Sequence, residues 1–176
     1  KINTPNQNYT LSDHVEHGVL SNKVAFNLIG NDLDNALKGN SKTNILSGEG
    51  GDDTLTGGAG ADIFVWAIAD TGSTLNPTVD TITDFSLKQK DILDLRDLLP
   101  SSAVESDIAG LLTNFIDVTL VGSNTVISVN TDGQLGTSGA DQQIVLSGVN
   151  LFSLTSATNE TALLTNLISK NQLLID

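Results

Sequence analysis

The sequence predicts an all-β fold, a parallel β-roll of short strands, and three observations carry that expectation. A nine-residue unit opened by glycine recurs four times without a gap from Gly30 to Val65. Every unit places a large apolar residue at its eighth position. The composition is rich in Gly, Asn, Asp, Ser and Thr and only 4% aromatic, which suits short strands joined by many turns rather than a helical bundle.

Upstream of the repeats, Tyr9 to Leu28 mixes Val15, Val19, Leu20, Val24, Phe26 and Leu28 with polar residues. The alternation Val24-Ala25-Phe26-Asn27-Leu28 reads as a strand that continues the roll and caps its first coil. His14 and His17 lie three apart, but with no cysteine and no third histidine nearby they read as exposed turn residues.

The repeats follow in order: Gly30 to Lys38, Gly39 to Ser47, Gly48 to Thr56 and Gly57 to Val65. Asn35, Asn44, Asp53 and Asp62 hold the sixth positions, and Leu37, Leu46, Leu55 and Phe64 the eighth. The first six residues of each unit suit a tight turn, because glycine enters left-handed or crowded conformations at little steric cost. The last three suit a short strand with its middle side chain turned inward. Two units make one coil of 18 residues, so Leu37 should stack on Leu55 and Leu46 on Phe64, at strand spacings of about 4.8 Å. Stacked turns bring the sixth-position side chains together, with backbone carbonyls between the coils. Such a set of hard oxygen ligands suits Ca²⁺ better than Mg²⁺ or a transition metal.

Beyond Val65 the nine-residue phase is lost. Phe115 to Val121 and Thr125 to Val129 flank Gly122-Ser123-Asn124 as a hairpin, Asp132 to Asp141 reads as a Gly-rich loop, and Gln142 to Leu146 as a further strand. Asn159 to Lys170 reads as an amphipathic helix with Leu163, Leu164, Leu167 and Ile168 on one side. The expected organisation is N-terminal capping strands over 1–29, the repeat roll over 30–66, an acidic roll-closing segment over 67–100 and a strand-rich extension with a C-terminal helix over 101–176.

Charge narrows the function. The formal net charge is −13, which excludes a nucleic-acid partner, because phosphate backbones are bound by basic patches. Between Glu49 and Asp97 the carboxylates Asp52, Asp53, Asp62, Asp70, Asp80, Asp84, Asp91 and Asp94 are answered only by Lys88, Lys90 and Arg96, so a bound counter-ion is expected. There is no cysteine, hence no disulfide and no thiolate metal site. No apolar run reaches membrane-spanning length. The chain opens without Met and without a cleavable export signal, so it is expected to be a piece of a longer polypeptide, most simply a monomeric unit within it. It contains no G-x-S-x-G elbow, His-Glu-x-x-His or phosphate-binding loop, and no enzymatic activity is expected.

The last unit, Gly57-Gly58-Ala59-Gly60-Ala61-Asp62-Ile63-Phe64-Val65, fits the calcium-binding β-helix repeat G-G-x-G-x-D-x-U-x throughout. The four units together resemble the RTX (repeats-in-toxin) family of type I-secreted proteins. The resemblance implies ligands residue by residue. Gly48, Gly50 and Asp53 complete a site begun by the first unit, and Gly57, Ala59 and Asp62 one begun by the second. Glu49 and Gly51 with Asp53, and Gly58 and Gly60 with Asp62, each begin a further site. The first two units depart from the pattern, with Asn35 and Asn44 for Asp and with Leu33 and Lys42 for Gly, which implies weaker binding there.

Asp62 to Trp66, Val79 to Phe85 and Asp91 to Leu99 are similar to the segment that closes RTX rolls, especially in the C-terminal type I secretion target domains of giant bacterial surface adhesins. The resemblance implies that acidic residues here replace the missing coil as calcium ligands, Asp80 and Asp91 foremost, then Asp84 and Asp94. Alternatively, Asp94 and Asp97 cap or charge a short helix ending at Pro100. It further implies an extracellular or cell-surface location, biofilm and cell-adhesion roles for the whole protein, and a partner in the type I secretion channel, an ABC transporter complex reading an uncleaved signal near the C-terminus. The alternative is the secretion domain of an exported hydrolase, a protease or lipase. An ice-binding surface is not expected, because no ladder of threonines recurs.

Overall fold

Three-residue strands joined by glycine-opened turns wind the chain into a flattened coil with two parallel walls. The structure is a computed structural model and describes residues 7–21, 26–100 and 114–175. One wall holds six parallel strands: β1 (Gln7–Thr10), β3 (Phe26–Ile29), β5 (Ile45–Ser47), β7 (Ile63–Ala67), β9 (Ile92–Asp97) and β13 (Leu173–Leu174), in that order. The other runs β2 (His17–Val19), β4 (Ala36–Lys38), β6 (Thr54–Thr56), β8 (Thr78–Ile82) and β12 (Gln142–Leu146), all parallel. It ends in the antiparallel strands β11 (Asn124–Val129) and β10 (Ile116–Val121).

The register puts the eighth-position side chains in two interior columns. Leu28, Leu46, Phe64, Leu93 and Leu173 pair in succession along one wall, and Leu37, Leu55, Ile82 and Leu146 along the other. All nine are essentially sealed from solvent. Each contributes about 1.5–3 kcal/mol of burial, and they belong to one buried cluster with Trp66, Phe85, Leu95 and Leu98. The expected stacking of Leu37 on Leu55 and Leu46 on Phe64 is present. At the N-terminal end Gly18 faces Leu37, and Leu11 fills the space: a Cβ on Gly18 would lie 3.0–3.2 Å from Leu28, Leu11 and Leu37.

The upstream segment holds three strands, β1 to β3, which extend both walls beyond the repeats. Val24 and Ala25 of the expected strand lie outside the described residues, as do residues 1–6, 101–113 and 176. His14 and His17 are exposed, and His14 takes a left-handed backbone conformation with φ 66°.

Downstream, the hairpin is β10 and β11, tighter by one residue than expected because Asn124 already pairs with Val121. The loop over 132–141 contains one short helical turn, α1 (Leu135–Ser138). Two further helices follow, α2 (Leu151–Thr155) and α3 (Glu160–Ser169). Asn150 caps the first by accepting from Ser153 N, and Asn159 caps the second by accepting from Ala162 N. Leu163, Leu164 and Leu167 of α3 are buried as its pattern predicts. The alternative of a short helix ending at Pro100 is overturned: residues 92–97 pair with β7 as strand β9, because Leu93 and Leu95 alternate into the core.

Candidate metal centre

The sixth position of each repeat forms a continuous ladder. Asp53 Oδ1 accepts from Asn35 N at 2.7 Å, and Asp62 Oδ1 from Asn44 N at 2.8 Å, each 18 residues earlier. Asp80 Oδ1 accepts from Asp53 N at 2.8 Å and Asp91 Oδ1 from Asp62 N at 3.0 Å, now across 27 and 29 residues. Asp80 and Asp91 therefore stand where the sixth residues of the next coil would stand, although the nine-residue phase has gone. All six side chains are buried.

The remaining carboxylate oxygens behave differently from one another. Asp80 Oδ2 accepts from Trp66 Nε1 at 2.6 Å and Gln142 Nε2 at 3.0 Å, and Asp91 Oδ2 accepts from Ser86 N at 2.8 Å. Asp53 Oδ2 and Asp62 Oδ2 are buried with no hydrogen-bond partner. Burial pushes the Asp53 carboxyl up to about 8, against the Asn35 N–H that lowers it and with Asp80 raising it further. Burial likewise pushes Asp62 and Asp80 up to about 6 and raises Asp91. Burial makes the ionised form of such an oxygen costly unless a cation answers it.

The turns bring backbone oxygens to the same places. A Cβ on Gly30 would collide with both Asn35 Oδ1 and Gly48 O, one on Gly39 would collide with Gly57 O and lie 2.6 Å from Asn44 Oδ1, and one on Gly57 would lie 2.6 Å from Asp62 Oδ2. Gly51 (φ 102°) and Gly60 (φ 133°) adopt conformations open to glycine, and a Cβ there would press within 2.7–2.8 Å of the Leu33 and Lys42 carbonyl carbons. Glu49 takes the same region at φ 66° without that freedom. Among the described residues no three His, Asp or Glu side chains gather as a metal cluster. Backbone carbonyls and sixth-position carboxylates are hard oxygen donors, which suit Ca²⁺ and its flexible shell of six to eight oxygens.

The other expected ligands have different surroundings. Asp84 accepts from Gly57 N and Gly58 N, both at 2.8 Å, and so anchors the fourth turn. Asp94 faces Arg96 in a two-pronged pair at 2.8 and 2.6 Å. Five partners were missed by sequence reasoning. Trp66 and Gln142 hold Asp80, and Gln89 Oε1 accepts from Gly60 N at 3.0 Å. Asp34 and Asp52 form an outer ladder, with Asp52 N donating to Asp34 Oδ1 and Val79 N to Asp52 Oδ1. Of these only the last left a trace in the sequence, an Asp at the fifth position of units one and three.

Fold and site together define a parallel β-roll with oxygen-lined turns. Residues 29–64 match the family model described as RTX calcium-binding nonapeptide repeat, in four copies. The chain thus carries an RTX domain, and its repeats are a calcium-binding motif with no catalytic chemistry of their own. Among solved structures it is similar to the AlgE6R2 subunit of the Azotobacter vinelandii mannuronan C5-epimerase, at 21% identity over 98% of this chain and 92% of that one, with a TM-score of 0.56. The AlgE6R3 subunit of the same enzyme also matches, at 21% identity over 90% and 85% of the two chains and a TM-score of 0.41. No curated protein matches the chain.

Proposed function

We propose that this chain is the calcium-dependent folding and export module of a large type I-secreted bacterial protein, a surface adhesin in the first reading. The observation that carries it is the pair of buried, unpartnered oxygens on Asp53 and Asp62. In this reading Asp53 and Asp62 with the carbonyls of Gly48, Gly50, Gly57 and Ala59 hold calcium toward the earlier turns. Glu49, Gly51, Gly58 and Gly60 do so toward Asp80 and Asp91. Asp84 and Asp94 support these cages through Gly57, Gly58 and Arg96.

Calcium supplies positive charge to carboxylates that otherwise repel one another and are stripped of water. Where calcium is scarce the chain stays open enough to thread a channel; outside, metal binding becomes folding free energy. With a Kd of about 10⁻⁴ M and about 1 mM calcium, each site contributes about 1.4 kcal/mol. Three or four sites give on the order of 5 kcal/mol, comparable to the net stability of a small domain. No helix among the described residues is long and apolar enough to cross a membrane.

The test has two arms. Circular dichroism in excess chelator should show mostly coil, with β signal restored by millimolar calcium. A passenger fused ahead of the chain in a type I-exporting cell should be secreted in lower yield when residues 30–99 are deleted. A chain equally folded in chelator, or an unchanged yield, overturns the reading. The tail of an exported enzyme is the second reading, since the same roll-plus-extension fold occurs in a subunit of an epimerase. The polypeptide encoded ahead of Lys1 distinguishes the two.

A further inference from the structure

The chain has eight Lys and Arg residues against 21 Asp and Glu. Three of the eight, Lys88, Lys90 and Lys170, line one open cleft of about 630 Å³ between the turn after Phe85 and the end of α3. Among the described residues no carboxylate lines it. Arg96 and Asp94 form the ion pair recorded among the described residues, and none of the three lysines is paired with a described carboxylate. Three lysines on one cleft make a local cationic surface on a chain of formal net charge −13.

The cleft is built on fixed backbone. Ser86 N donates to Asp91 Oδ2, and Asp91 N and Lys90 N donate back to Ser86 O and Leu87 O, which closes the turn and sets Lys90 at φ 69°. Gln172, itself 5% exposed, donates from Nε2 to Leu87 O at 3.0 Å and joins this turn to the C-terminal segment. Leu154 lies 63% exposed on the same wall, so the cationic rim borders an apolar surface. The volume lies in the range of small-ligand clefts and far exceeds a single oxyanion.

We propose that this cleft binds a multiply anionic oligosaccharide segment, with carboxylate or sulfate groups on the lysines and the apolar face of a sugar ring against Leu154. Ammonium groups are compact point charges without the planar fork of arginine, so they accept either oxyanion. Nucleic acid fits poorly: Phe85, the one aromatic in the wall, is buried, so no stacking platform is offered. This inference goes beyond the export reading and stands independently of it. Because Asp91 closes the turn, the cleft exists only in the folded roll.

The experiment uses the whole chain in millimolar calcium, with folding checked by circular dichroism for each variant, so a folding failure is seen apart from a binding failure. Calorimetry would compare oligogalacturonate, a sulfated heparin hexasaccharide, neutral cellohexaose and inorganic sulfate at low and physiological salt. At least one charged oligosaccharide should bind, more weakly as salt rises, and the neutral one should not. Lys88→Gln/Lys90→Gln/Lys170→Gln should lose about tenfold or more in affinity, while Lys38→Gln, at an exposed lysine elsewhere, stays close to the unmodified chain. Absence of binding at low salt, binding unaffected by the triple substitution, or inorganic sulfate binding as tightly as the oligosaccharides would overturn the proposal. So would a salt-sensitive dimer abolished by the triple substitution, which would make the acidic turns of a second copy the occupant.

Discussion

Asp53 carries two tasks on two oxygens. Oδ1 holds the Asn35 N–H at 2.7 Å, a bond that any side-chain carbonyl could replace, while Oδ2 is buried without a donor. An amide oxygen at this position does accept backbone N–H groups, since Asn35 and Asn44 accept from Asn31 N and Asn40 N of their own turns. The neutral substitution Asp53→Asn should therefore change stability in opposite directions under two conditions. In chelator it removes a carboxyl that burial makes costly to ionise yet keeps an acceptor for Asn35, so the roll should become more stable at neutral pH. In calcium it removes a charged ligand and should cost about 1–3 kcal/mol, the range for hydrogen bonds and contacts to charged groups. Urea melts with and without calcium check this, and a loss of equal size in both would show that Oδ2 has no cation to lose. The sixth-position Asp was legible because its spacing repeats. The division of labour between its two oxygens was not, because it depends on a neighbour 18 residues away.

At the scale of strands, the roll depends on the two interior columns. Leu55 is fully buried between Leu37 and Ile82, and its neighbours belong to coils that cannot shift without breaking their own ladders. Leu55→Ala should destabilise the calcium-bound chain by about 2–5 kcal/mol, whereas Leu120→Ala, at a position 44% exposed near the hairpin tip, should stay within about 0.5 kcal/mol. Thermal melts in calcium compare the two, and equal effects would mean that the columns are not the core. The four repeat strands were legible because turn glycine and inward residue recur together. The continuation through β8 and β9 was visible only as a run of acidic and apolar residues, since the insertions that lengthen the coils to 27 and 29 residues erase the phase. β13 left almost no signal. Two residues show no periodicity, and Leu173 joins the column only because α3 returns the chain to β9. Helix α2 was missed for a similar reason, being a single turn fixed by the Asn150 cap rather than by an apolar pattern.

For the molecule as a whole, the clustered carboxylates couple folding to protons as well as to metal. Asp53 is raised from 3.8 to about 8, and Asp62 and Asp80 from 3.8 to about 6, in each case first by burial. Folded values above the unfolded ones mean that the metal-free roll binds more protons than the open chain. Its stability is then fully present below about pH 4 and is lost as pH rises, first through about 6 and then through about 8. The overall charge of −13 acts in the same direction, because protonation relieves self-repulsion. Calcium reverses the sign, since a bound cation holds the same carboxyls ionised and protons must compete with it. Circular dichroism in chelator should accordingly show β signal growing as pH falls from 8 toward 5, and the calcium concentration needed for half-folding should fall over the same interval, because protonated folded chain adds to the calcium-bound one. A metal-free chain that gains structure as pH increases would show that these side chains are ionised and satisfied without calcium. The coupling between metal and fold would then have to be sought elsewhere in the roll.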